Sequence, residues 1–88
     1  MELEQLRIFV AVAENKSFSK GGKLLYISHS TTSRAVSALE EELGVRLIQR
    51  DNHVTALTEA GELLLEEAKN LLSSAEQIKE KLRHFAAN

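Results

Sequence analysis

The chain has 88 residues, 27% of them charged, a formal net charge of −2, and neither cysteine nor proline. That length suits one small domain, and the missing cysteine rules out disulfides, thiolate metal sites and cysteine nucleophiles. The longest apolar run, Ile8 to Ala13, is far too short to cross a bilayer, and no signal peptide is visible at the start, so a soluble, cytoplasmic chain is expected.

The absence of proline and the high charge point to a mainly helical protein. Leu3, Leu6, Phe9, Val10 and Ala13 recur at steps of three and four, which predicts a first amphipathic helix of about 12 residues. Asn15 to Ser17 break it, and Ser17 can cap a second, short helix over Phe18 to Tyr26. The inner stripe of that helix is Phe18, Gly21, Gly22 and Leu25. Two interior glycines each cost about 1 kcal/mol relative to alanine, and in return a neighbouring helix can pack against bare backbone. Ile27 plugs the core from the following turn, and Ser28 caps a third helix that Gly44 ends in the left-handed conformation.

Within this third helix six of the ten residues from Ser28 to Ser37 are serine or threonine. Such residues are mediocre in helix interiors because their hydroxyls compete for the backbone. At 100° per residue, Thr32, Val36, Leu39 and Leu43 share an inner side. Ser30, Arg34, Ser37 and Glu41 lie opposite, flanked by Thr31 and Ala38. Beyond Gly44, Val45 and Leu47, and after the polar tip Asp51 to His53, Val54 and Leu57, predict a wing of two short strands. Thr58 opens the last helix, with Glu59 at its positive end. Along it Leu64, Ala68, Leu71, Ala75, Ile78, Leu82 and Phe85 follow one another at alternating steps of four and three. A seam held this regularly over about 32 Å of helix predicts a homodimer paired through it.

A short helix, a tight turn and a helix with a small polar outer face define a helix-turn-helix, whose second helix leads into the DNA major groove with its first residues. That explains the hydroxyls: they reach phosphates or base edges while letting the backbone approach closely. The local charge agrees. From Asn15 to Leu39 there is no Asp or Glu, while Lys16, Lys20, Lys23 and Arg34 lie in that span. Candidate contacts to double-stranded DNA are therefore Ser28, His29, Ser30, Thr31, Ser33, Arg34 and Ser37 in the groove. Lys20 is a candidate on a phosphate, and Arg50, His53 and Arg46 in the wing. Arg34 is the one groove residue able to make a bidentate contact to guanine or to clamp a phosphate.

The run SFSKGGKLLYISHSTTSRAVSALEEELGVRLIQR, followed by LTEAG (Leu57 to Gly61), resembles the N-terminal DNA-binding region of LysR-type transcriptional regulators. The resemblance extends from Leu6 and Phe9 through the last helix. It implies a winged helix-turn-helix over residues 1–57 and a linker helix over 58–88 that pairs with its twin. It also implies a larger C-terminal domain that senses a small-molecule inducer and is absent from this chain. The chain departs from the family pattern at several places. Gly21-Gly22 stand where Ala-Ala is usual, implying a softer second helix, and His29-Ser30 replace Gln-Pro, removing an amide suited to adenine. Basic residues common at the positions of Ser37 and Ala38 are missing, as are several in the wing, where Asp51 and Asn52 stand. Fewer phosphate contacts and a shallower salt dependence are expected.

No enzyme site can be assembled. His29, His53 and His84 lie on three different elements with no partner at triad or ligand spacing, so no metal or cofactor is expected. Gly21-Gly22 lacks the spacing of a P-loop. Glu40 to Glu42 read as a solvated helix end. The alternative function is a winged-helix module that binds another protein instead of DNA, a reading toward which the net negative charge leans.

Overall fold

The structure is a computed structural model that describes residues 1–49 and 55–86. It contains α1 (Leu3–Asn15), α2 (Phe18–Leu24), α3 (His29–Leu43), β1 (Ile48–Gln49), β2 (Ala56–Leu57) and α4 (Glu59–Ala86). The strands pair antiparallel with Ile48 opposite Leu57 and Gln49 opposite Ala56. A mainly helical winged helix-turn-helix with a long last helix is thus the observed architecture. Asp51, Asn52 and Val54, the rest of the predicted wing, lie outside the described residues. So do Arg50 and His53.

The core forms around α1, which packs against α2, α3 and α4. This surround explains why its buried face is wider than one stripe. Ile8, Ala11 and Val12 are buried beside Leu6, Phe9 and Ala13, while Leu3 stays exposed. Phe9, Val12, Val36 and Leu39 are completely enclosed, each worth about 1.5–3 kcal/mol of removed apolar surface. Ser17 caps α2 by accepting the Lys20 amide at 3.1 Å, and Ser28 caps α3 by accepting the Thr31 amide at the same distance. Gly44 ends α3 at φ 70°.

Three local expectations are corrected. The second helix stops at Leu24 rather than Tyr26. The Ile27 amide bonds the Gly22 carbonyl at 2.9 Å and the Tyr26 amide bonds Lys23 at 3.1 Å, the paired bonds of a Schellman stop with Tyr26 in the left-handed position at φ 60°. In α3 the last inner position belongs to Glu40, 8% exposed, while Leu43 is 40% exposed. In the wing, Leu47 and Ile48 are the buried pair and Val45 faces solvent.

Glu40 therefore departs from the solvated helix end expected of it. Its Oε2 accepts the Leu47 amide at 2.8 Å and the Ile48 amide at 3.2 Å, and its backbone carbonyl accepts the Gly44 and Val45 amides. One residue thereby fastens the end of α3 to β1. Thr58 completes the corner: its hydroxyl donates to the Arg46 carbonyl at 2.6 Å and accepts the Gly61 amide, capping α4. A Cβ on Gly61 would collide with the Leu47 carbonyl, so α4 lies against the wing as closely as backbone allows.

The first turns of α4 are part of this body. Gly61 and Ala68 are buried, and Ala60, Leu64, Leu65 and Leu72 pack on the core. Lys69 pairs with Glu14 of α1 at 2.8 Å. Beyond Leu72 the helix leaves the domain, which gives a particle of 53 × 24 × 19 Å.

Candidate nucleic-acid interface

The α2–α3 pair is held close by its small residues. A Cβ on Gly22 would lie 2.6 Å from the Thr32 Oγ1 of α3, while one on Gly21 would lie 2.9 Å from the Val12 backbone, so α2 is packed as closely on α1. Thr32 is fully buried and donates its hydroxyl to the Ser28 carbonyl at 2.8 Å. Half-buried Ile27 fills the turn. With Thr32, Val36 and Leu39 buried, α3 has a fixed rotation and turns the opposite side outward.

That outer side carries Ser30, Thr31, Arg34, Ser37 and Ala38, all exposed, with Ser33 half-buried at its edge. The hydroxyls at its start are arranged before any ligand arrives. Ser28 Oγ donates to Thr31 Oγ1 at 2.9 Å and lies 3.3 Å from Ser30 Oγ. Ser28 is thus occupied as a cap, while Ser30 and Thr31 keep acceptor and donor capacity for a partner. His29, the first residue of α3, is exposed and sets its ring 6.0 Å from that of Phe18 at a 52° tilt. Lys16, Lys20 and Lys23 are exposed, and among the described residues none of them, nor Arg34, is held in an ion pair. Arg46 differs: it lies 3.8 Å from Glu40 at the root of the wing.

The seam on α4 divides into two parts. Ala68 is 1% exposed and belongs to the core cluster of its own domain. Leu64 is half-buried against the same core. Leu71, Ile78, Leu82 and Phe85 are 46%, 58%, 57% and 78% exposed, and Ala75 is half-buried among them. Among the described residues no three His, Asp or Glu side chains could hold a metal ion, and no helix is long and apolar enough to cross a membrane.

A capped helix, a tight turn, a second helix with a solvent-facing polar side, a supporting α1 and a two-stranded wing define a winged helix-turn-helix domain of the DNA-binding type. The particular lineage follows from comparison with known proteins. Residues 3–62 match the family described as "Bacterial regulatory helix-turn-helix protein, lysR family", and the chain belongs to that family. It is 37% identical over 75 residues to a probable RuBisCO transcriptional regulator of Trieres chinensis, a match covering 85% of this chain and 24% of that protein. The chain therefore spans about a quarter of that relative's length. The crystal structure of the BenM DBD with catB site 1 DNA superposes with a TM-score of 0.95 at 38% identity, covering 100% of this chain and 98% of that one. The CbnR DBD–DNA complex gives 0.90 at 37% identity, with 98% and 99% covered.

Proposed function

We propose that this domain is the sequence-reading head of a LysR-type transcriptional regulator in the cytoplasm, binding double-stranded promoter DNA as a homodimer with α3 in the major groove. The observation that carries the reading is the outer face of α3. It is small, hydroxyl-bearing, equipped with one arginine that forms no ion pair among the described residues, and set in a stretch from Asn15 to Leu39 without a single acid. BenM and CbnR, at more than a third identity over nearly the whole chain, are similar domains seen with DNA.

In this reading Ser30, Thr31, Ser33, Arg34 and Ser37 meet bases and phosphates in the groove, with His29 at its entrance. Ser28 orders the first turn, and its capped amides favour a nearby phosphate. Lys20 takes a phosphate from the α2 side, and Arg50 and His53, outside the described residues, are further candidates for the DNA backbone. Residues 1–57 read, and residues 58–88 link. Two copies pair through Leu71, Ala75, Ile78, Leu82 and Phe85, with Leu64 at the margin. The pairing presents two α3 helices to half-sites about one helical turn apart, ~34 Å, or a multiple of it. A small-molecule inducer acts through a C-terminal domain of the whole regulator.

Fluorescence anisotropy on DNA upstream of the protein's own gene, at two salt concentrations, tests this with Arg34→Ala alongside. Tight, salt-weakened binding that drops by about 1–3 kcal/mol in Arg34→Ala is expected. Binding indifferent to Arg34 would move recognition to the wing. A folded dimer that binds no duplex at either salt would overturn the reading in favour of a protein-interaction module.

A further inference from the structure

Tyr26 occupies the turn of the helix-turn-helix under two conditions that fold stability does not explain. Its backbone is left-handed at φ 60°, a conformation that favours glycine or asparagine because a side chain crowds the following carbonyl. Its side chain is 96% exposed, more than any other large apolar or aromatic residue described, so the ring recovers nothing by packing. A strained position that gives no burial in return is a reason to look for a ligand.

The position supplies one. Tyr26 precedes the cap Ser28 by two residues, at most ~7 Å of chain. An α-helix about 10–12 Å across fills a major groove about 12 Å wide, so phosphates line the sides of the entering helix. A residue immediately outside its first turn then stands at the groove's rim. Resting on the DNA-binding reading above, we infer that the Tyr26 phenol donates a hydrogen bond to a backbone phosphate beside the N-terminus of α3. A neutral donor suits this place: it fixes the depth and angle of α3 without adding a charge or reading a base.

Anisotropy titrations with a mixed-sequence fluorescein-labelled duplex of about three helical turns, ~30 base pairs, test this at several low salt concentrations. The proteins are wild type, Tyr26→Phe, Tyr26→Gly and, as a marker of the general reading, Arg34→Ala. Tyr26→Phe should lose about tenfold or more in affinity per half-site, the worth of one hydrogen bond to a charged acceptor. Its salt slope should equal that of wild type, because no charge is removed. Tyr26→Gly should bind as weakly while melting a few degrees higher, since glycine relieves the left-handed position. Both variants binding like wild type while Arg34→Ala weakens would overturn the role of Tyr26 and leave DNA reading intact. A wild type that binds no duplex would overturn both.

Discussion

Replacing Glu40 with alanine should be among the most damaging single changes in the domain. The side chain is 9% exposed, and one of its carboxylate oxygens, Oε2, receives two buried amides, Leu47 and Ile48. Alanine leaves both donors without an acceptor, and each buried unsatisfied group costs about 1–3 kcal/mol. A loss of about 3 kcal/mol is therefore expected, against a total of about 4–13 kcal/mol for a chain this size. At ~4–8 °C per kcal/mol, the melting temperature should fall by about 12–24 °C. Glutamine separates acceptor from charge. Its amide oxygen can still receive both N–H groups, so only the charge-assisted part of the bonds is lost, about 1 kcal/mol. The pairing with Arg46 adds little, because that side chain is 70% exposed. Thermal and urea unfolding at one fixed protein concentration measure the energies, since pairing would couple stability to concentration. Amide hydrogen exchange at Leu47 and Ile48 locates the effect. An Ala variant within about 0.5 kcal/mol of wild type, as for an ordinary surface glutamate, would refute the reasoning.

Gly22→Ala should destabilise by about 1–3 kcal/mol despite alanine's better helix propensity, because its Cβ meets the Thr32 hydroxyl at 2.6 Å in a fully packed site. Thr32→Ala should recover part of that loss, and a double-mutant cycle that is merely additive would dismiss the contact. Leu71→Glu, at a position 46% exposed, should leave the domain folded but monomeric in sedimentation, whereas a persisting dimer would remove the outer half of α4 as the pairing surface.

Periodicity made most of the fold legible: the α1 stripe, the serine caps and the Gly44 stop each follow from local chemistry that tertiary packing then leaves in place. It failed where a polar residue served the core. Glu40 stands four residues after Val36 and eight after Thr32, on the very stripe that packs inward. Its charge nevertheless reads as solvent-facing beside Glu41 and Glu42. What reverses this is the pair of amides in a distant segment, which no pattern within α3 announces. The seam on α4 poses a different question. An unbroken apolar repeat does not record which of its members meet their own domain, and Ala68 lies in the domain's core while Leu71 stays exposed. Tyr26 reads as helix because tyrosine is rarely the residue that accepts a left-handed stop. The outer face of α3 was legible because its hydroxyls made no sense as helix formers.

Selection of duplexes from a random library by the wild-type protein tests the central claim most directly. The account predicts enrichment of an inverted repeat whose half-site centres lie about 10–10.5 base pairs apart, or a multiple of that spacing, with the pattern within each half-site lost in Arg34→Ala. Recovery of no preferred sequence, under conditions where the folded protein is present in excess, would contradict it.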